Sequence, residues 1–151
     1  MKVVPHRIVR KANPDDIRVI LAFDTGSCEP GRKAFIERAV TQGDAYVVQQ
    51  EDVVIAIGVL EYTFFDQGFV SLIYVNGQQR RTGAGETLLR HLISICRTSK
   101  LFSSTNQSNL PMQALFRKTD FAESGMVYNL DAEDPEVIYY QEIIPKALLE
   151  I

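Results

Sequence analysis

One segment, Tyr74-Val75-Asn76-Gly77-Gln78-Gln79-Arg80-Arg81-Thr82-Gly83-Ala84-Gly85-Glu86, lies between two stretches of regular pattern. The apolar run from Gly68 to Val75 is typical of a strand, and Glu86 to Arg97 carries apolar residues at helical spacing. Because Gly83 and Gly85 lack a Cβ, the backbone can turn tightly and an anion can approach the helix start. The segment therefore predicts a strand, a tight turn and a helix that begins near Gly83.

The chemistry of this turn favours phosphate. Each hydrogen bond to a charged group contributes about 1.5–3 kcal/mol, against about 0.3–1 kcal/mol for a charge near the helix dipole. Arg80 and Arg81 add charge-assisted contacts at the mouth of the turn. Neither a P-loop Lys-Ser/Thr nor a GxGxxG motif is present, and a plain turn with a helix cap remains the alternative. The amides expected to hold the anion belong to Arg81, Thr82, Gly83, Ala84, Gly85 and Glu86.

The rest of the chain alternates strand and helix patterns, which indicates a mixed α/β (α+β) fold. We expect about seven strands in a mostly antiparallel sheet, with one parallel crossover at positions 69 to 105, and about four flanking helices. The predicted strands span residues 6–11, 45–50, 53–65, 68–75, 101–105, 121–130 and 136–143. The predicted helices span about residues 14–22, 32–41, 83–97 and 110–118.

Size and composition indicate a single domain spanning residues 1–151. The chain is 46% hydrophobic and 23% charged. A domain of this length buries roughly 68–70% of the surface of its unfolded chain, so that it needs neither a disulfide nor a metal to fold. Cys28 and Cys96 form no CxxC pair and have only His6 and His91 to join them, so we expect no metal site.

The charge balance and the apolar runs limit the partners. A net charge of −3 argues against nucleic acid, whose phosphates favour a basic surface. The N-terminal MKVVPHRIVRKANPDD lacks an apolar core long enough for a signal peptide, and no apolar run approaches the length of a membrane span. We therefore expect a cytoplasmic protein with no membrane partner. A homodimer through Val137-Ile138-Tyr139-Tyr140 fits the sequence, and so does a core role for these residues.

Three segments together resemble the GNAT N-acetyltransferases. A strand that ends in Val75, an arginine five positions later and two glycines before a helix resemble the acyl-CoA signature of that family. Asn109 to Phe121 is similar to its pattern of Asn, small residue, Tyr and Gly-Phe, and Arg7 to Asp16 resembles its first strand and helix. The resemblance covers nearly the whole chain and implies a GNAT-type acyl-CoA N-acyltransferase fold. The residues that match the signature are Arg80, Gly83 and Gly85.

This resemblance implies an enzyme that transfers an acetyl group from acetyl-CoA, its co-substrate, to an amine of a small molecule or peptide by direct attack in a ternary complex. Pantetheine amides would pair with the backbone of Leu72 to Val75, which includes Ile73 and Tyr74. The amide of Val75 would lie near the thioester carbonyl, and the amides at 81–86 would bind the pyrophosphate. Asn109 would contact the pantetheine arm, although capping of the next helix explains it equally well.

Two positions depart from the family pattern. Phe116 stands where the family commonly has the tyrosine that protonates the leaving thiolate, and Asp120 stands where it has glycine. By position Phe116 counts among the expected cofactor contacts, but it cannot donate a proton. General acid catalysis typically contributes about 10²–10⁴-fold, so either another group serves or the thiolate leaves without an acid. The alternative acids are Ser108, Tyr139, Tyr140 and Tyr128, the last of which we include among the catalytic candidates.

An attacking amine must be neutral, so a proton acceptor is needed. Glu61 is the first candidate, because it lies in an apolar strand beside the strand expected to hold the thioester. An outward-facing edge carboxylate is the alternative interpretation of Glu61. Ser71 and Tyr74 are candidates for ordering a water instead. Carboxylates that could attract a cationic acceptor, but that a solvated face explains better, are Asp24, Glu29 and the segment Asp131-Ala132-Glu133-Asp134.

Two rival functions remain open on the sequence alone. A domain that binds acyl-CoA without turning it over would fit the phenylalanine at position 116. A toxin that acetylates aminoacyl-tRNA would share the fold, but the net negative charge argues against it.

Overall fold

The computed structural model describes residues 5–24 and 29–143. The strands are β1 (Arg7–Lys11), β2 (Ala45–Gln50), β3 (Val53–Phe64), β4 (Gln67–Val75), β5 (Lys100–Asn106), β6 (Ala122–Val127) and β7 (Glu136–Glu142). The helices are α1 (Ile17–Phe23), α2 (Arg32–Gln42), α3 (Ala84–Ile95) and α4 (Leu110–Lys118), with single 3-10 turns at Pro14–Asp16 and Gly77–Gln79. The strands form one mixed sheet in the order β1-β2-β3-β4-β5-β7-β6. The predicted fold class is confirmed.

The chain divides into two compact units that interleave along the sequence. The first unit comprises Met1–Val59 and Leu72–His91, and the second comprises Leu60–Ser71 and Leu92–Ile151. Each of β3, β4 and α3 contributes residues to both units. The assignment of residues 1–151 to one domain stays a prediction.

The first unit has its core on one side of an antiparallel ladder formed by β1, β2 and the start of β3. Ile20 of α1 and Ile36 of α2 are fully buried there, together with Val47 and Ile57 of the ladder. Burying a side chain of this kind contributes about 1.5–3 kcal/mol. Leu72 of β4 belongs to the same core, which fixes the end of β4 that leads into the turn.

The connection from β1 to α1 is held by a capping box with an added ion pair. Asn13 Oδ1 accepts a hydrogen bond from the amide of Asp15 at 3.0 Å, and Asp16 Oδ2 accepts one from the amide of Asn13 at 2.8 Å. Arg10 Nη1 and Nη2 donate to the two carboxylate oxygens of Asp16 at 2.8 and 2.9 Å. The hydrogen bonds from Arg10 lower the pKa of Asp16 below its ordinary value.

Replacement of Asp16 tests this connection. Asp16→Asn should lower the free energy of unfolding at pH 7 by about 1–3 kcal/mol, because the charged acceptor of Arg10 is lost. A lowered pKa stabilises the fold above the ordinary pKa of 3.8 and loses that contribution as the pH falls through the folded-state value. The difference between wild type and variant in urea unfolding should therefore shrink between pH 5 and pH 2 (about the range in which carboxylates titrate).

Asp15→Asn is the matched control, because it removes the same charge from the exposed neighbouring position. Its effect should stay within about 0.5 kcal/mol at every pH. A difference between Asp16→Asn and wild type that does not change with pH would show that the carboxylate charge is not what stabilises this connection.

The second unit contains the parallel crossover. β4 and β5 pair in parallel from Gly68–Leu101 to Val70–Ser103, and Ser103 Oγ donates to the carbonyl of Val70 at 2.7 Å. β4 continues to Val75, so residues 71–75 lie outside this ladder. β5 pairs antiparallel with β7 along its whole length, and β6 pairs with β7 at the sheet edge.

The turn between β3 and β4 differs from the prediction. We expected it at Asp66-Gln67-Gly68, but the turn residues are Phe65 and Asp66, with φ of 51° and 63°. Two successive positive φ values are those of a type I′ hairpin, whose twist matches the adjoining strands. Gly68 lies inside β4, where a Cβ would approach Cys96 Sγ to 2.8 Å. The glycine therefore permits close packing rather than the turn.

Two other boundaries differ. A 3-10 turn precedes α1, which begins only at Ile17, and β6 ends at Val127, since Asn129 takes a φ of 75° and the chain reverses toward β7. Cys28 lies outside the described residues. None of the helices in the described ranges is long and apolar enough to cross a membrane.

Candidate active site

The predicted turn begins where β4 ends. The amide of Asn76 donates to the carbonyl of Ile55 at 2.8 Å, which ties the end of β4 to β3. Asn76 Oδ1 then accepts from the amide of Gln78 at 3.1 Å, and the amide of Gln79 donates to the carbonyl of Asn76 at 2.8 Å. These bonds close the 3-10 turn at Gly77–Gln79 and fix the direction in which the chain leaves the strand.

The turn presents backbone amides at the start of α3. Arg81 and Gly83 have φ of 64° and 86°, and α3 begins at Ala84, close to the predicted start. The helical hydrogen bonds begin with the amide of Thr87, which donates to the carbonyl of Gly83 at 3.0 Å. The amides of the first turn precede that series and have no acceptor within the helix. Amides at a helix start after left-handed residues make an anion-binding concavity.

An arginine from the first strand supports the turn, and we did not predict this contact from the sequence. Arg7 Nη1 donates to the carbonyl of Thr82 at 2.8 Å, and Arg7 Nη2 donates to Thr82 Oγ1 at 2.7 Å. Thr82 Oγ1 donates in turn to the carbonyl of Gln79 at 2.6 Å. We call the pair of bonds from Arg7 the Arg7–Thr82 fork. The partners are 75 positions apart, so no local pattern could have predicted it.

Arg80 lies over an aromatic stack at the end of β4. Its guanidinium carbon is 5.3 Å from the centroid of the Tyr74 ring, and that ring stacks on Phe23 with a centroid distance of 6.3 Å. A cation over a tyrosine face is attracted by about 0.5–1 kcal/mol at exposed sites. The contact keeps the charge of Arg80 beside the turn.

The structure therefore places ten of the predicted cofactor-binding residues within one continuous stretch of the first unit, which runs from Leu72 to His91. Three of them end β4, namely Ile73, Tyr74 and Val75, and the other seven lie in the turn and the start of α3, namely Arg80, Arg81, Thr82, Gly83, Ala84, Gly85 and Glu86. Their role as cofactor ligands stays a prediction.

The predicted catalytic residues Glu61, Ser71 and Tyr128 belong to the second unit. Glu61 is half-buried in β3. Ser71 Oγ is buried and has no hydrogen-bond partner among the described residues. Tyr128 is 63% exposed, and its hydroxyl contacts Met126 Sδ at 3.5 Å. Buried hydroxyls are normally paired, so Ser71 is the unusual member of this group.

Asn109 and Phe116 have clear structural roles in the second unit. Asn109 Oδ1 accepts from the amide of Met112 at 3.1 Å and caps α4, as one of its two alternatives predicted. Phe116 is fully buried and stacks on Tyr139 at a centroid distance of 4.7 Å, with Phe121 at 5.2 Å. Both residues were predicted cofactor contacts, and these contacts stay predictions.

The alternative acids differ in their surroundings. The hydroxyl of the buried Tyr139 donates to Gln113 Oε1 at 3.4 Å, and burial, with the charge of Glu123, raises the pKa of Tyr139. Ser108 Oγ donates to Asp134 Oδ2 at 2.6 Å. Neither hydroxyl is an uncommitted donor.

The carboxylates are mostly engaged within the fold. We expected Asp24 on a solvated face, and this was wrong: its side chain is fully buried and accepts from Arg32 Nε and Nη2 at 2.9 and 3.3 Å. Asp131 Oδ2 accepts from Asn106, and Asp134 accepts from the amide and hydroxyl of Ser108. These carboxylates fix loops. Within residues 5–24 and 29–143, no three His, Cys, Asp or Glu side chains are grouped as a metal site.

Comparisons with known proteins give the family. The sequence model described as the acetyltransferase (GNAT) family matches residues 15–121. A GNAT-family acetyltransferase from Bacillus cereus ATCC 10987 is 35% identical, with 92% of this chain and 99% of that chain covered and a TM-score of 0.86. No curated protein matches the chain.

More distant structures share the fold. The ribosomal-protein-S18-alanine N-acetyltransferase from Escherichia coli is 18% identical, with 91% of this chain and 94% of that chain covered and a TM-score of 0.77. The protein yncA from Salmonella typhimurium, solved with its cofactor acetyl-CoA, is 16% identical, with coverages of 93% and 96% and a TM-score of 0.72. With a family match over more than half of its length and a 35% identical relative of the same architecture, this chain belongs to the acetyltransferase (GNAT) family.

Proposed function

We propose that the protein transfers an acetyl group from acetyl-CoA to an amine of a small molecule or peptide, by direct attack within a ternary complex. The observation that carries the proposal is the start of α3, where the first-turn amides follow two residues with left-handed φ, a backbone arrangement that suits an anion. The family of the chain supports the acetyl donor, and yncA of the same fold was solved with acetyl-CoA.

The turn would hold the pyrophosphate of the donor. The amides from Arg81 to Glu86 would donate to its oxygens, and Arg80 and Arg81 would add charge. Gly83 suits this role, because it is exposed, has a φ of 86° and would bring a Cβ no closer than 3.9 Å to any protein atom. The space around this glycine is therefore open to a ligand.

The end of β4 would bind the pantetheine arm. Residues 71–75 lie outside the ladder with β5, so the backbone of Ile73, Tyr74 and Val75 is proposed to pair with pantetheine amides. The amide of Val75 would stabilise negative charge on the thioester oxygen as the amine attacks. Acetyl-CoA supplies the acetyl group activated as a thioester.

A proton must leave the amine as its nitrogen bonds to the acetyl carbon and the carbon–sulfur bond breaks. We assign its acceptance to Glu61, directly or through a water, since this carboxylate is half-buried in β3. The unpartnered hydroxyl of Ser71 would orient that water. An unpaired buried hydroxyl costs about 1–3 kcal/mol, which a purely structural position would not retain without reason.

The leaving thiolate takes a proton from solvent or from Tyr128, whose hydroxyl is exposed. Phe116 is packed in the core and offers no proton. This position is the observation that favours a second candidate function, a domain that binds acyl-CoA without turning it over.

The two functions make different predictions for donor binding and thiol release. Wild-type protein should bind CoA and should release free thiol from acetyl-CoA with at least one member of a panel of polyamines, aminoglycosides and lysine-bearing peptides. Gly83→Glu should abolish CoA binding, because it places a carboxylate and a strained backbone where the pyrophosphate would lie. Calorimetric titration and a thiol-reactive dye provide the measurements.

Gly77→Glu is the matched control, since it adds the same charge to the same segment at an exposed position with open space. It should keep most of the CoA affinity. Binding of CoA without thiol release for any amine would select the sensor, and normal binding by Gly83→Glu would refute the role of the turn.

The proposed base is tested by Glu61→Gln. The variant should bind CoA as wild type does but lose about 10²–10⁴-fold in kcat/KM, because the proton acceptor is gone. Asp66→Asn, an exposed carboxylate in the β3–β4 turn, should leave the kinetics unchanged. Equal kcat/KM in Glu61→Gln and wild type over the accessible pH range would exclude Glu61 as the base.

Ser71→Ala separates catalysis from stability. Removal of an unpaired buried hydroxyl should leave the melting temperature unchanged or higher, whereas kcat should fall if the hydroxyl orients the attacking water. Thermal unfolding and steady-state kinetics measure the two effects. Unchanged kcat would show that Ser71 only packs.

A further inference from the structure

We propose that Arg7 is a positioning residue for the donor, acting through Thr82 to hold the pyrophosphate-binding turn in its binding conformation before the ligand arrives. This inference rests on the proposed function and adds a residue that none of the preceding roles includes. Arg7 lies in β1, far along the chain from the turn that it contacts.

The guanidinium is anchored at both ends. Arg7 and Gln50 are direct cross-strand partners of β1 and β2, and Arg7 Nε donates to Gln50 Oε1 at 2.8 Å. The other two nitrogens form the Arg7–Thr82 fork. The strand pair β1–β2 therefore orients the guanidinium of Arg7, and this guanidinium orients the turn at Thr82.

The fork acts on the part of the turn that is conformationally costly. Thr82 lies between Arg81 and Gly83, both of which have left-handed φ values. A non-glycine residue in this region is strained and persists only where its surroundings impose it. By binding both the carbonyl and the hydroxyl of Thr82, Arg7 fixes the peptide between these two positions. The first-turn amides of α3 then need no rearrangement when the ligand binds, and this preorganisation raises the affinity.

The side chain also removes an unfavourable charge from the site. The carbonyl of Thr82 carries negative partial charge beside the proposed phosphate, and Arg7 Nη1 neutralises it at 2.8 Å. A lysine could not replace Arg7, because its ammonium is a point charge. It has no planar group that could donate to both oxygens of Thr82 and to Gln50 at the same time. The inference is therefore specific to arginine.

The experiment compares two ligands that differ by the pyrophosphate-bearing part. CoA and pantetheine are titrated against wild type, Arg7→Met and Arg7→Lys. Arg7→Met should weaken CoA by about tenfold or more, equivalent to about 1.4 kcal/mol, and leave pantetheine affinity within about twofold. Arg7→Lys should also lose CoA affinity, since it keeps the charge but not the fork. Arg18→Met, at an exposed position of α1, is the matched control and should bind both ligands normally.

Thr82→Val provides a second route if Arg7→Met folds poorly. Valine keeps the shape of threonine but cannot accept from Arg7 Nη2, so CoA binding should weaken by less than in Arg7→Met. A melting temperature close to that of wild type shows that the loss is local.

Three results would overturn the inference. The first is that Arg7→Met binds CoA as tightly as wild type does. The second is that Arg7→Lys keeps full CoA affinity, which would show that only the charge of Arg7 matters. The third is that Arg7→Met loses affinity for CoA and pantetheine equally, which would show general damage to the fold. The proposed function fails differently, through wild-type protein that does not bind CoA. Each failure is therefore recognised by a different measurement.

Discussion

The excess of amide donors at the start of α3 is the constraint on which the site depends. A helix cannot satisfy the N–H groups of its own first turn, so they must meet water, a cap or a ligand. Thr82, which lies just before α3, has its hydroxyl bonded to the carbonyl of Gln79 and to Arg7. Two residues with left-handed φ, Arg81 and Gly83, lead into that end of the helix. The proposed binding of the donor would satisfy this requirement.

The sequence allowed prediction of features encoded by local pattern. Gly83 before an apolar helix located the turn, and Asn109 before Leu110-Pro111 located a helix cap. Contacts between distant positions were not predictable, and the Arg7–Thr82 fork is one of them. Asp24 shows the same limit, since nothing in its polar sequence segment indicates that its side chain is buried in an ion pair with Arg32. We predicted the β3–β4 turn at the wrong residues, because the sequence does not distinguish a glycine that permits close packing from a glycine that permits a turn.

The catalytic half of the site depends on weaker signals than the donor half. Position 116 holds a phenylalanine, which cannot donate a proton, and it stacks on Tyr139. The hydroxyl of Tyr139 is itself buried in the core, where it donates to Gln113. Two other groups remain, a buried hydroxyl at Ser71 that has no partner among the described residues and a carboxylate at Glu61 in a largely apolar strand. A buried hydroxyl without a partner is uncommon, and it is the reason for which Ser71 is proposed as a member of the site.

The Arg7–Thr82 fork also bears on the order in which the molecule assembles. Arg7 precedes its partner Thr82 by 75 positions, and contacts of high sequence separation form late because closing the loop between them costs entropy. The pairing of β1 with β2 spans fewer residues and can precede it. A nascent chain would thus acquire its strand pairs and α3 before the turn reaches its final geometry. The proposed affinity for the donor would then arise among the last steps of folding, because it depends on β1 as well as on the turn itself.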